Sequence, residues 1–233
     1  ALESLDAPTG TFQNSLSTII PWKDKLFNVM SYVKYQKDRQ TMSINPGTYL
    51  DNFGFGNYDK INQYANSETL MVNHSASVGF SYKKWTFTPE AGLNLSFNKM
   101  KSSITGVTGN TEYYMGTDVQ NNIDWNEVQP YTQLGINYKS QNLNISLTAP
   151  LNFYGITYRD NLRNNYNETN KTVFEPNLFA SLDFASFFKI WTFAGQSYDF
   201  GNFGFLYGGK MLTSPTSLNV RYSDNIEMPE YLN

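Results

Sequence analysis

His74 is the only histidine in a chain of 233 residues, and cysteine is absent. Those two counts decide much of the chemistry. Without thiols there are no disulfide staples, no cysteine nucleophile and no cysteine-ligated zinc. A single imidazole would need carboxylates to complete a zinc site, and a Ser–His relay has no second histidine to draw on. The carboxylates with the most telling spacing are Glu90, Glu175 and Asp183, each on the polar phase of an alternating stretch. Paired, such groups can do acid–base work or bind cations; singly, they are charges facing a wet interior. Asp51, Asp59, Asp118, Asp124 and Asp160 lie in Asn-, Gly- and Ser-rich stretches without the regular spacing of a calcium loop. Gly54-Phe55-Gly56-Asn57-Tyr58 and Gly201-Asn202-Phe203-Gly204-Phe205 join glycine to aromatics. That combination serves turns, and also platforms that contact sugars or peptides. No catalytic, metal-binding or cofactor-binding residue is assigned from these patterns, ligand-binding residues stay open, and a non-enzyme without a cofactor is expected.

What positions these residues is strand. Leu143, Ile145, Leu147, Ala149, Leu151 and Phe153 fall on one face of an extended stretch, and Asn144, Ser146, Thr148, Pro150 and Asn152 on the other. A strand crossing a bilayer needs about 9–11 tilted residues. Lipid on one side and a polar lumen on the other demand this two-residue alternation. Trp85, Phe87, Pro89, Ala91, Leu93, Leu95 and Phe97 repeat the pattern against Thr86, Thr88, Glu90, Gly92, Asn94, Ser96 and Asn98. Six weaker stretches complete a set of eight candidate strands. They are 12–22, 27–35, 72–82, 128–138, 174–184 and a last one starting at Trp191 and Phe193. His74 falls on the apolar phase of the 72–82 stretch.

The expected connections alternate short and long. Short turns are expected at 22–25, 82–85, 138–143 and 186–189, and long polar connections at 36–70, 99–127 and 157–172. That is the layout of an outer-membrane barrel, with tight turns on one side and large loops on the other. Trp22, Phe27, Tyr82, Trp85, Tyr138 and Trp191 stand beside the short turns on the apolar phase, as an interfacial girdle would. The first residues have no basic or apolar run of a signal peptide, so a secreted barrel would carry its leader upstream. Both ends fall on the long-connection side, which points to a segment of a larger barrel.

Composition agrees with a strand wall. Only 16% of residues are charged and 40% hydrophobic, with 17 Phe, 17 Tyr and 4 Trp; a soluble domain carries roughly a quarter charged residues. Net charge is −3, and no basic stripe of the kind that binds nucleic acid is present. The fold class expected is all-β, an antiparallel up-and-down meander of about eight long strands forming a segment of a transmembrane β-barrel across residues 1–233. Alternation alone leaves two other readings open: a soluble, secreted antiparallel-β module that binds, for example, carbohydrate, and a complete small structural barrel.

Three stretches carry a family resemblance: Phe87-Thr88-Pro89-Glu90-Ala91-Gly92-Leu93-Asn94-Leu95, Val128-Gln129-Pro130-Tyr131 and Phe174-Glu175-Pro176-Asn177-Leu178. With the tail Tyr198-Asp199-Phe200-Gly201 to Thr213-Ser214-Pro215-Thr216-Ser217-Leu218, the chain resembles the barrel region of Bacteroidota TonB-dependent-receptor-like proteins of the outer membrane. In that family each Pro would open a strand that follows a long loop. The resemblance implies a transporter barrel of roughly 22 strands, located in the cell outer membrane and taking part in uptake of a nutrient. It implies as partners the membrane lipid, a plug domain, TonB-type energy-coupling machinery and a surface lipoprotein.

Overall fold

The computed structural model describes residues 2–45, 58–185, 188–198, 207–214 and 217–221. Its strands are β1 (Leu2–Asp6), β2 (Thr9–Trp22), β3 (Lys25–Ile44), β4 (Lys60–Tyr82), β5 (Trp85–Thr108), β6 (Thr111–Tyr114), β7 (Gln120–Lys139), β8 (Leu143–Asp160), β9 (Asn165–Phe174), β10 (Asn177–Ala185), β11 (Phe188–Gly195), β12 (Tyr207–Ser214) and β13 (Ser217–Arg221). The first eleven form one antiparallel sheet and the last two a separate hairpin. β1 and β2 share one edge of β3, and β9 and β10 share one edge of β8. β6 and β7 lie along one edge of β5. The sheet is therefore an up-and-down meander of eight staves, each paired with the next in sequence. It is all-β, as the alternation demands, and it is not closed: among the described residues β2 and β11 each keep one unpaired edge.

Prolines explain the interruptions. Pro176 has no N–H to donate and stands between β9 and β10, while Glu175 N–H still donates to Pro150 O at 3.1 Å. Pro8 likewise separates β1 from β2 and accepts from Arg39 N–H at 3.0 Å. Pro89 and Pro130 do not open strands after long loops; they stand inside β5 and β7. The ladder is broken beside them, with no pairing between Ser77/Glu90 and Phe80/Phe87 or between Val128/Gly155 and Tyr131/Asn152.

The short turns at 22–25, 82–85 and 138–143 are where alternation put them, and residues 186 and 187 of the fourth lie outside the described residues. Trp22 pairs with Lys25 and Tyr82 with Trp85, so each of those turns has two residues. Lys23 and Lys83 take left-handed backbone (φ 57° and 55°). The long connections are not where they were expected. Residues 36–44, 60–70, 99–108, 120–127 and 157–160 continue β3, β4, β5, β7 and β8, and 165–172 belong to β9. The longest strands reach 23 and 24 residues. Lower is used below for the short-turn end of the sheet and upper for the far end.

The upper half buries the face opposite to the one that carries the apolar side chains below. In the lower half the apolar residues share the face of Trp85, and Glu90 stands on the other. Above Phe97 the pattern inverts: Lys99 and Lys101 occupy the Trp85 face, and Met100 and Ile104 are buried on the Glu90 face. The same inversion runs through β3, from Val33 and Tyr35 to Lys37 and Arg39, with Met42 and Ile44 buried opposite. The core lies there. Met42, Ile44, Ile61, Ile104 and Val119 pack with Leu212 of the hairpin, and Met100, Ile123 and Tyr158 pack with Trp125 and Met211.

The eighth strand departs from expectation. Trp191 pairs with Ser181 and Phe193 with Phe179, so both rings stand on the Glu90 face. A register shift between Asp183 and Ala185 causes this, because a slip of one residue sends every following side chain to the opposite face.

Candidate functional site

The Trp85 face carries a band of large apolar side chains bounded below by rings. Tyr82, Trp85 and Tyr138 lie in one cross-strand row; Trp85 and Tyr138 have centroids 4.8 Å apart, and Trp22 and Phe27 5.9 Å. Lys23 stands 5.5 Å over Trp22 and Lys83 5.3 Å over Tyr82. The rings expected beside the short turns share this face, except Trp191. Twelve residues separate Trp85 from Phe97, and at about 3.4 Å per residue and about 40° of tilt they rise about 31 Å. The band between is open to solvent: Leu134 and Val128 are each 40% exposed, and no layer covers them among the described residues. At its centre Ala76, Ala91, Pro89, Thr132 and Ala149 leave a shallow apolar groove of about 630 Å³. His74 sits on this face between Ser31 and Leu93, across the sheet from Glu90.

The band ends in charge. One row above Phe97 runs Lys37–Glu68–Lys99–Asp124–Arg159. Lys37 Nζ donates to Glu68, and this bond, followed by the Lys37 charge, holds the Glu68 carboxyl below the usual carboxylate range.

On β5, β7 and β8 the Glu90 face is largely polar over the same height, while Leu26, Met30, Trp191 and Phe193 also stand on it toward the two edges. Gly92 lies opposite Tyr131, and a Cβ at Gly92 would stand 2.4 Å from the tyrosine ring. Glycine here lets the ring lie across β5, where Tyr131 Oη donates to Glu90 Oε1 at 2.6 Å. A second chain of bonds crosses the sheet. Asn94 Nδ2 donates to Gln129 Oε1 (3.2 Å), Gln129 Nε2 to Asn152 Oδ1 (3.1 Å) and Asn152 Nδ2 to Glu175. Glu175 also accepts from Tyr198 N–H at 2.8 Å and Tyr154 Oη at 3.4 Å. Beside this ladder Ser15, Met30, Tyr32, Asn73, Glu90 and Tyr131 line a groove of about 520 Å³.

The three carboxylates singled out by spacing are thus separate. Glu90 is held by Tyr131, Glu175 sits in the gap between β9 and β10 instead of mid-strand, and Asp183 is exposed beside Lys189 at 3.6 Å across the turn. Asp160 is buried, accepting from Leu162 and Arg163 N–H and pairing with Arg163 Nη1 at 2.9 Å. It shapes a turn. Asp59 accepts from Gly109 N–H and Asp124 from Asn161 Nδ2, each at 2.8 Å. Asp118 is part of the three-residue 3-10 turn Thr117–Val119. Asp51, Gly54 to Asn57 and Gly201 to Phe205 lie outside the described residues. Among the described residues no group of three His, Asp or Glu side chains could hold a metal ion.

Two residues that spacing did not single out matter more. Gln63 Nε2 donates to Leu212 O (2.9 Å) while Leu212 N–H donates to Gln63 Oε1 (2.6 Å). Asn121 does the same for Gly209, with bonds of 3.4 and 2.8 Å. Each side-chain amide imitates a strand neighbour and fixes β12 on the upper Glu90 face. A buried amide amid isoleucines is the only sign of this in the sequence.

No protein-family model matches the chain, and no curated protein matches it.

Proposed function

We propose that this chain is part of the wall of an outer-membrane β-barrel, with the Trp85 face toward lipid and the Glu90 face toward the lumen. One observation carries the reading: the apolar face changes sides at the level of Phe97. Lipid requires an apolar exterior only over the hydrocarbon thickness. Above it water requires a polar exterior, and the extended strands then build a core on the inside. A soluble sandwich keeps one apolar face along its whole strands, so a swap at one height on neighbouring staves argues for a boundary between two solvents. The rise of about 31 Å between the bounding aromatic rows brackets the ~25 Å apolar belt of such barrels.

The unpaired edges of β2 and β11 extend the reading. In lipid, backbone N–H and C=O groups left without partners are costly, so further strands must close this wall. The wall then belongs to a larger barrel, in keeping with the resemblance to TonB-dependent-receptor-like transporters. Its task is passage of a nutrient, with the Tyr32–Glu90–Tyr131 groove facing the path and no catalytic step.

The test is fractionation of source cells with an antibody to the chain, the membrane fraction being run boiled and unboiled. The expected result is a carbonate-resistant outer-membrane band far heavier than 26.6 kDa whose mobility changes on heating. A soluble or secreted band near that mass overturns the proposal and favours the binding module.

A further inference from the structure

The row of charge above the apolar band is not evenly balanced. Lys37, Arg39, Lys99 and Lys101 surround Glu68 and Asn66 and line one hollow of about 430 Å³ on the Trp85 face. The register makes the arrangement a small grid: Lys37–Glu68–Lys99 in one row, Arg39–Asn66–Lys101 in the next. Neighbouring strands lie about 4.8 Å apart and alternate residues about 6.8 Å apart. The cations thus stand at the corners of a rectangle of about 10 by 7 Å. Glu68 is engaged by Lys37. Arg39, Lys99 and Lys101 make no ion pair among the described residues and stand around Asn66. Four cations gather around Glu68, with Asp124 opposite Lys99, in a chain whose net charge is −3.

We propose that this grid binds the phosphate of an anionic lipid headgroup in the leaflet that meets the upper sheet. The inference rests on the membrane reading above. Three features select a lipid. The grid lies immediately above Tyr35, Leu70 and Phe97, the last apolar row of the band, which is the height at which phosphates of a bilayer lie. It faces away from the Glu90 groove, so a solute on the lumen side cannot reach it. It also stands directly over apolar surface along which acyl chains can run. An arginine fork and two flexible ammonium groups around an amide donor suit a tetrahedral phosphate that presents several oxygens at once. Basic clusters beside a membrane surface attract anionic lipid by the same physics.

The experiment uses the barrel that carries this chain, extracted from the outer membrane and inserted in phosphatidylcholine vesicles containing a minor fraction of fluorescent phosphatidylglycerol. Lipid held at the upper end is read by energy transfer from a dye on an Asn122→Cys variant, beside Lys101, because Trp22, Trp85 and Trp191 lie toward the short-turn end. Enrichment of phosphatidylglycerol over a fluorescent phosphatidylcholine is expected, falling as salt rises. The triple variant Arg39→Gln, Lys99→Gln, Lys101→Gln should weaken it by roughly fivefold for each cation removed. The triple variant Lys23→Gln, Lys83→Gln, Lys84→Gln, at the opposite end of the sheet, should leave it unchanged. Circular dichroism of both variants confirms that the sheet is intact, since all six positions are on the surface or on turns. Insertion without preference for phosphatidylglycerol, or equal loss in both variants, overturns this proposal and leaves the membrane reading standing. Full displacement of the lipid by millimolar inorganic phosphate also overturns it, because the site would then serve free phosphate. A barrel that does not insert into vesicles removes both proposals.

Discussion

Leu151→Arg places a charge where the wall is proposed to be deepest in lipid. On β8, Ile145 pairs with Tyr138 of the girdle row, and Leu151 lies six residues above it. At about 3.4 Å per residue and about 40° of tilt, that is about 16 Å up a band of about 31 Å. Leu151 is therefore at mid-height, opposite Thr132 and Phe174. An arginine at the midplane of a barrel costs about 2–4 kcal/mol, and one near the interface about 0–1. Leu151→Arg should thus destabilise by about 3 kcal/mol, a factor of roughly a hundred or more in the folding equilibrium. Ile145→Arg, on the same face but at ring height, should cost at most about 1 kcal/mol. Ser146→Arg, on the polar face, should cost less than about 1 kcal/mol. The assay is urea unfolding of the barrel that carries this chain, refolded into phosphatidylcholine vesicles and followed by tryptophan fluorescence. In water a half-exposed strand position tolerates arginine at any height, because the charge reaches solvent. Equal costs at Leu151 and Ile145 would therefore refute the depth reasoning.

Other outcomes follow from the contacts. Gln63→Leu and Asn121→Leu each leave the β12 backbone groups without their amide partner inside the upper core. Each should cost about 1–3 kcal/mol, and hydrogen exchange at Gly209 and Leu212 should rise while exchange in the lower strands is unchanged. Gly92→Ala forces the Tyr131 ring off β5 and should cost about 1–3 kcal/mol. Tyr131→Phe keeps the packing, so combining the two changes should give less than additive losses in the same urea titration. Glu68 titrates below the usual carboxylate range, so its contribution is complete above its unfolded value and disappears as pH falls through the lowered folded value. Lys37→Gln should move the Glu68 carboxyl resonance midpoint upward in an NMR titration; an unchanged midpoint would show that the ion pair is not what holds it.

The lower half of the sheet was legible because one rule governed it. Between Trp85 and Phe97, and between Leu143 and Phe153, side chains alternate without exception between apolar and polar or small environments. The upper half is strand where loops were expected, for a physical reason. At Lys99 and Lys101 the expected apolar phase turns polar, and the apolar residues Met100 and Ile104 reappear one position out of step. A reading that holds one phase sees the pattern fail there, whereas one that lets the phase reverse would have followed β5 to Thr108. Trp191 was placed on the wrong face because no periodicity reveals the irregularity between Asp183 and Ala185. Glu90 and Glu175 were recognised as polar-face groups, but their partners depend on cross-strand register. The Gly92–Tyr131–Glu90 contact joins residues 41 apart, and only pairing of β5 with β7 brings them together. The grid of Lys37, Arg39, Lys99 and Lys101 was hidden likewise, since the two pairs sit in separate stretches assigned to loops.

The amide clamps also impose an order of events on the chain. Gln63 waits for a backbone partner 149 residues downstream, and Asn121 for one 88 residues downstream. Pairing of successive staves needs only hairpins, which form fast because little loop entropy is spent. The upper core has no such local route, because Leu212 must return to a surface that β4, β5 and β7 have already laid side by side. The sheet can therefore assemble from its turns upward while its upper end stays incomplete. Docking of β12 should then come last, and its hydrogen exchange would report whether every earlier register was correct.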